Sequence, residues 1–539
     1  MVQGSVEEPI DQSPPPTLLQ DWTAFSESII WDLQRAYFEE RGTEAWRQGE
    51  VPHYVTTNPR QANAYAEMIM ALRRDHRRLH PKSSSPIHIL ELGSGTGKMA
   101  YYMLRRLEQL CEDEGISLNE FRYVLSDFTQ RNVEFWKVHP RFSNYIDMQV
   151  LDIARFDVTQ PGPLHLQISD TEWGPGQLDS PVVVIANYLW DSIPQELVYV
   201  ANGETQAVHV MVNVVGEPAL MGPAMLLEKA ELDYALAPKA PTWMSSPLLK
   251  PLLAQYAVSV PQGWTLFPAS AIRCLSWLRA LSPQGLMLLT ADKGAHDLQG
   301  AVHPYPPTFA NHGSISLNVN YHAMSKYCEG QGGISFFPEH PYFSVNTGCL
   351  LLLEQTQNYA ATLRATHKFL DESGPDTYFT VYKCIRTHLD TIQFRDIAAA
   401  LRLSLFDSHQ LNIYIPRIAA LLPNLTPQES SDLLRILNRC WENYFPLAEG
   451  IDLATGIGSI CYALDAYEWA LYYFSQSTDI YGAYTGTFFN MAVCHHMQGD
   501  TENAVPLLQQ VVAHDPDNAQ AVELLRGYGV FSNTEIVTV

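Results

Sequence analysis

Residues 88–97, HILELGSGTG, place an acid and three glycines at alternate positions: Glu91, Gly93, Gly95 and Gly97. A phosphate-gripping G-x-x-x-x-G-K-[ST] loop is excluded, because its first position is Leu92 and Met99 follows Lys98. A dinucleotide loop, G-x-G-x-x-G, fails at its third glycine, where Lys98 stands. What remains is Glu91-x-Gly93-x-Gly95-x-Gly97. Residues without a β-carbon let a ligand approach the backbone closely and make φ > 0 available. An ordinary strand–turn–helix corner needs no such run. Further polar residues fall at the ends of later apolar runs: Asp127 in YVLSD, Asp152 in MQVLD, and Asn187 and Asp191 in ANYLWDSIP.

The Glu91–Gly97 pattern resembles motif I of S-adenosylmethionine methyltransferases. That resemblance implies S-adenosyl-L-methionine as cofactor, held by Glu91, Gly93, Gly95 and Gly97, with Glu91 toward the ligand's ammonium. A carboxylate accepts two hydrogen bonds from ribose hydroxyls, the role expected of Asp127, and Asp152 (or the nearby Asp157) is expected at the adenine edge. Ligands of open α/β sheets sit beyond the carboxyl ends of the strands. Asn187 and Asp191 therefore point toward the transferred methyl, as positioning and proton-accepting catalytic residues. They could instead cap a helix starting at Pro194, since Asn and Asp are common caps.

In order along residues 50–355, HYVTTNPRQANAYAEMI, VIANYLWDSIP, SWLRALSPQGLMLLTADKG and GSISLNVNYHAMSKY resemble segments of MidA-like methyltransferases, the complex I assembly methyltransferase family. The resemblance implies methylation of a protein, with arginine the family's acceptor. Tyr188 stands where the family has glutamate, Asn318 and Asn320 where it has aspartate and histidine, and Lys293 where it has tyrosine. A non-catalytic interaction or assembly scaffold with a degenerate methyltransferase fold is therefore a second reading, and a small-molecule methyltransferase a third.

The elements that must carry these residues follow from periodicity. Helical patterns fill about 24–48 and 60–79. Strands are expected at 88–92, FRYVLSD, DMQVLD, PVVVIANYL and GLMLLTAD, alternating with helices, one of them from about 98 to 113. This is an α/β pattern, read as a doubly wound, seven-stranded, Rossmann-like class I methyltransferase domain. The apolar fourth strand suits a buried parallel sheet. An insertion over about 197–262 contains a hairpin around Asn202-Gly203. After about residue 355 the pattern is helical. Residues 451–518 show a 34-residue self-similarity that pairs Ala470 with Ala504, Phe474 with Leu508 and Gly458 with Ala492, and resembles the tetratricopeptide repeat (TPR). The expected organisation is a disordered tail (1–22), an N-terminal helical segment (23–80), the methyltransferase domain (81–355), a helical linker region (356–445) and an all-α TPR-like repeat domain (446–539) that recruits a protein substrate.

Composition narrows the classes. The chain of 539 residues carries 34 basic and 58 acidic residues, a net charge of −24. Such acidity disfavours nucleic acid, and the cluster Arg73, Arg74, Arg77 and Arg78 reads as a helix face. Eight scattered cysteines without C-x-x-C argue against a zinc module or a disulfide framework and suit a reducing compartment. No metal site is expected. No apolar run reaches membrane-spanning length, and the acidic, proline-rich start lacks signal-peptide character. A cytoplasmic protein without membrane association is expected.

Overall fold

A computed structural model describes residues 16–47, 51, 53–308, 310–311, 314–340, 342, 344–372, 374–447 and 450–530. The chain divides into two compact units, residues 1–57 with 61–378, and residues 58–60 with 379–539.

The first unit is built on a nine-stranded sheet. Its order is Ile334–Phe336, Asn346–Leu353, Gly285–Asp292, Val182–Asn187, Ile87–Leu92, Phe121–Asp127, Leu151–Arg155, Leu164–Leu166 and Thr171–Trp173. The five strands from Gly285–Asp292 to Leu151–Arg155 are mutually parallel. Two antiparallel strands close one edge. The expected seven strands become nine because Leu164–Leu166 and Thr171–Trp173 add an antiparallel lip at the other edge. Every residue of Ile87–Leu92, Gly285–Asp292 and Asn346–Leu353 is buried, which explains their near-continuous apolar runs. Leu90, Val184 and Leu288 join Ile272, Leu275 and Met324 in one core.

The insertion forms a second sheet rather than a loop. Glu196–Ala201 and Glu204–Val214 pair around Asn202 and Gly203, whose φ of 54° and 75° suit a tight hairpin turn. Gln262–Phe267, Ala230–Leu236 and Thr17–Ala24 complete it. Thr17–Ala24 corrects the expected start: residues 17–22, placed in the tail, and 23–24, placed in a helical segment, form a strand against Glu204–Val214. Residues 1–15 of the expected tail lie outside the described residues. Helices Ile29–Arg41 and Pro59–Leu79 follow. The arginine cluster is ion-paired: Arg73 and Arg77 meet Glu120, Arg74 meets Glu114 and Arg78 meets Asp75.

The second unit is helical. Helix pairs Leu453–Ala463/Tyr467–Tyr481 and Thr485–Met497/Thr501–His514 are followed by Ala519–Gly527. Ala470, Ala492 and Ala504 are fully buried, and a β-carbon on Gly458 would lie 2.8 Å from the Phe474 ring. Small residues thus let these helices approach. The expected boundary at 446 is corrected. Leu411, Tyr414, Leu437 and Trp441 share one core with Leu453, Ile457 and Phe474, so the helices from Phe394–Leu403 onward belong with those beyond 446 instead of linking to them. Among the described residues no helix is long and apolar enough to cross a membrane.

Candidate active site

From Ile87–Leu92 the chain moves to one side, to Phe121–Asp127 and Leu151–Arg155. It then returns to the other side, to Val182–Asn187 and Gly285–Asp292. The order reverses at Ile87–Leu92, so the crevice beyond its carboxyl end is the favoured ligand position in such a sheet. The glycine loop lies there. Gly93, Gly95 and Gly97 have φ of 58°, 52° and 78°, all left-handed, which glycine alone adopts without strain. Gly97 leads into helix Lys98–Glu114. The loop is pinned to the next strand: Ser94 and Ser126 hydroxyls donate to the Glu91 carbonyl at 3.1 and 2.7 Å, and the Trp136 indole donates to the Gly95 carbonyl at 3.1 Å.

Glu91 is buried beside this loop. The Tyr123 hydroxyl donates to its Oε2 at 2.5 Å. Burial pushes its carboxyl up to about 8, against the pull of the Tyr123 hydrogen bond. Asp127 also ends its strand at the crevice, and its carboxylate is fully engaged. Oδ2 accepts from the Gly95 amide (3.3 Å) and the Asn132 side chain (3.0 Å), and Oδ1 from the Thr129 amide (2.9 Å) and hydroxyl (3.0 Å). Asp127 therefore couples the glycine loop to the helix after its strand, and any ribose hydroxyl must displace one of these donors.

Asp152 is a correction. Its strand runs Leu151–Arg155, so the residue stands at the strand's beginning, away from the carboxyl ends. It is fully buried, pairs with Arg122 at 2.7 Å and accepts the amides of Ile168 and Ser169, which anchors the antiparallel lip. Asp157, two residues past the end of that strand, lines the crevice instead, with Arg35 at 2.6 Å.

Val182–Asn187 delivers the second polar group. Asn187 Oδ1 accepts from the Tyr65 hydroxyl at 2.9 Å, while its buried Nδ2 has no partner among the described residues. Tyr188 follows with φ of 49°, and the backbone turns through the short helical turn Trp190–Ser192 into Glu196–Ala201. No helix starts at Pro194, which removes the capping alternative for Asn187 and Asp191. Asp191 is buried, and the Ser192 hydroxyl donates to it at 2.7 Å. Burial pushes its carboxyl up to about 6, against the Ser192 and Asp292 hydrogen bonds and the Lys293 ammonium. Asn320 stands apart: it caps helix Tyr321–Gly330 and bonds Thr265 and Leu266. Asn318 is exposed.

Two adjoining cavities meet at this point. One, about 110 Å³, is lined by Glu91, Gly95, Asn187, Asp191 and Lys293. The other, about 420 Å³, is lined by Asp127, Asn132, Asp157 and Arg35. Both share Phe38, Trp46, Gly93, Tyr188 and Ser192. Sequence reasoning missed Trp46, whose ring lies 3.1–3.3 Å from where a Gly95 β-carbon would sit and stacks on Phe38 at 5.7 Å. It missed Tyr65 and Asp292 as site residues too. Their signals were a tyrosine and an aspartate inside the two quoted segments, NPRQANAYAEMI and TADKG; nothing local marked Trp46.

Neither a family model nor a curated protein matches the chain. Among solved structures it is similar to a Burkholderia thailandensis protein bound to S-adenosyl-homocysteine, at 15% identity over 64% of this chain and 83% of that one, TM-score 0.37. It is also similar to magnesium protoporphyrin IX methyltransferase from Synechocystis PCC 6803 with bound SAM, at 9% identity over 60% and 96%, TM-score 0.24. At these identities and scores, what the site holds rests on the geometry of the chain itself.

Proposed function

We propose that this protein is an S-adenosylmethionine-dependent methyltransferase that modifies a nitrogen of a protein side chain, with arginine as the acceptor suggested by the sequence resemblance. One observation carries this reading: a buried carboxylate, Glu91, and the left-handed Gly93 and Gly95 line one cavity with Asn187 and Asp191 at the reversal of the strand order. The five parallel strands with an antiparallel edge support a class I methyltransferase sheet.

The residues present fit the cofactor. It carries an ammonium and a sulfonium and no phosphate, and the smaller cavity offers Glu91 and Asp191 with Lys293 the one lysine or arginine among its described lining residues. The unpartnered Asn187 Nδ2 suits an oxygen of the ligand or acceptor. The 420 Å³ cavity over Asp127 lies within the range of small-ligand sites and suits the adenosine. When bound, S-adenosylmethionine supplies a methyl group on a good sulfonium leaving group. The chain's work is then alignment and exclusion of water. Glu91 holds the ammonium, the glycine loop admits the ligand's close approach, Asn187 orients the acceptor, and Asp191 takes its proton. The helical unit, read as TPR-like, recruits the protein substrate.

A non-catalytic scaffold is the second reading. Two observations favour it: Trp46 covers Gly95, and Asp127 already carries four hydrogen bonds. Incubation of the full chain with labelled S-adenosylmethionine and a cell extract separates the two. Label in protein methylarginine, lost with Asp191→Asn, supports transfer. Label in no protein, despite measurable cofactor binding, supports the scaffold.

A further inference from the structure

Asp292 ends Gly285–Asp292, the strand beside Val182–Asn187. It is fully buried. Its Oδ2 accepts the amides of Leu189 and Trp190 at 3.1 and 2.9 Å. Those amides belong to the turn that carries Asp191, so one carboxylate braces the backbone that presents the other. Oδ1 of Asp292 accepts from no donor among the described residues. The turn those amides hold sets Asp191 beside Asp292, and each carboxyl shifts the other: the Asp191 charge raises Asp292, and hydrogen bonding from Asp292 lowers Asp191. Two carboxylates can share a hydrogen bond only if a proton lies between them. Tyr65 from helix Pro59–Leu79, Tyr188, Lys293 and Tyr321 are the other titratable groups around the pair. Lys293 is the one cation among them, and the phenols are held neutral by burial.

We propose that Asp191 and Asp292 act as one proton-sharing carboxylate pair, with Asp191 facing the cavity that takes the acceptor nitrogen and Asp292, buried behind it, the positioning residue that keeps Asp191 in place and sets when it is charged. This rests on the methyltransferase reading. One proton stays on Asp292 throughout. As the acceptor nitrogen is methylated, its N–H bond breaks, the electron pair stays on nitrogen, and the proton forms an O–H bond on Asp191. Burial and the Asp191 charge hold Asp292 protonated, while burial raises Asp191 to about 6 against the Asp292 hydrogen bond, so Asp191 is ionised at neutral pH and the pair carries a single negative charge.

The test uses two probes that need no acceptor. S-adenosylhomocysteine has a neutral thioether where S-adenosylmethionine has the sulfonium. Sinefungin has a carbon in place of the sulfonium sulfur, and the ammonium on that carbon stands where the transferred methyl would be. Dissociation constants for both, measured by calorimetry from pH 5 to 8 on the full chain, give their ratio. The wild type should prefer sinefungin at least tenfold at pH 7.5, with the preference fading near pH 6. Asp292→Asn keeps an oxygen for the Leu189 and Trp190 amides but places an N–H toward Asp191. The preference should survive, and the pH at which it fades should rise by about half a unit or more, because an amide N–H donates to the Asp191 carboxylate more weakly than the O–H it replaces. A residue that only braced the turn would leave that pH unchanged, and this result overturns the proposal. Asp191→Asn should abolish the preference at every pH; its retention would also overturn it, whether or not Asp292→Asn folds.

If neither probe binds the wild type, the cofactor assignment fails, and thermal unfolding still judges the pair. A carboxyl lifted above its unfolded value binds a proton the unfolded chain has lost, so stability falls as pH rises from 4 to 7. The wild type should lose melting temperature over that range relative to Asp292→Asn. Parallel curves would overturn the pair itself.

Discussion

Replacing Glu91 by glutamine isolates the charge that the site offers to a cationic ligand. Burial raises this carboxyl to about 8, so at pH 7 only about one Glu91 in ten is ionised, and at pH 6 about one in a hundred. A ligand ammonium needs the ionised form. Binding must therefore draw Glu91 into ionisation, which costs about 1.4 kcal/mol for each pH unit below its titration point. The sign follows: affinity rises with pH, by roughly tenfold between pH 6 and 7, while the ligand's own ammonium stays charged below about 7.7. S-adenosylhomocysteine retains that ammonium and suits titration calorimetry at pH 6.0, 6.5 and 7.0. The wild type should show a slope near +1 in log affinity against pH, and at pH 7 should release close to one proton, visible as a dependence of heat on buffer. Glu91→Gln preserves size and the oxygen that accepts from Tyr123, and its profile should be flat. Asp191 titrates nearby, at about 6; Asp191→Asn must keep the Glu91 slope. A flat profile in the wild type, or an equal slope in Glu91→Gln, refutes the assignment of Glu91 to the ligand's ammonium.

Asp127→Ala strips four buried hydrogen bonds and should cost about 2–4 kcal/mol from donors left without partners, read as a lowered melting temperature, with Asp127→Asn milder; an unchanged melt would show that the carboxylate is not holding the loop. Gly95→Val forces a branched residue to φ of 52° and against Trp46, so it should lower the melting temperature and abolish cofactor binding together, whereas Trp46→Ala should speed association of S-adenosylhomocysteine in stopped-flow measurements. Deleting residues 446–539 removes Leu453, Ile457 and Phe474 from the core they share with Tyr414 and Trp441; the truncated chain should aggregate in size-exclusion chromatography, and a monodisperse product with a full helical circular-dichroism signal up to residue 445 would contradict that packing.

How much of this is legible from the sequence depends on the range of the signal. The glycine loop is local: alternate glycines after an apolar run point to left-handed backbone, and Ile87–Leu92 and Lys98–Glu114 lie where periodicity puts them. Asp152 fails for a reason of register. MQVLD is apolar with an acid, and nothing in it tells a strand's beginning from its end; the structure starts the strand at Leu151. Thr17–Ala24 alternates too weakly to read as a strand, and only its partner Glu204–Val214, nearly two hundred residues away, makes it one. Trp46 and Asp292 meet the loop and the Asp191 turn through tertiary packing, which composition and spacing do not encode. The boundary at 446 fails because a repeat signal marks similarity between helices, and the shared core of Tyr414, Trp441 and Leu453 depends on burial instead.

Direct titration of the full-length protein with S-adenosylmethionine at pH 7.5 tests the central claim. One ligand should bind per chain, be displaced by S-adenosylhomocysteine and be unaffected by NAD or ATP, and Gly95→Val should bind none. Absence of binding at millimolar ligand, or displacement by NAD or ATP, would contradict the account.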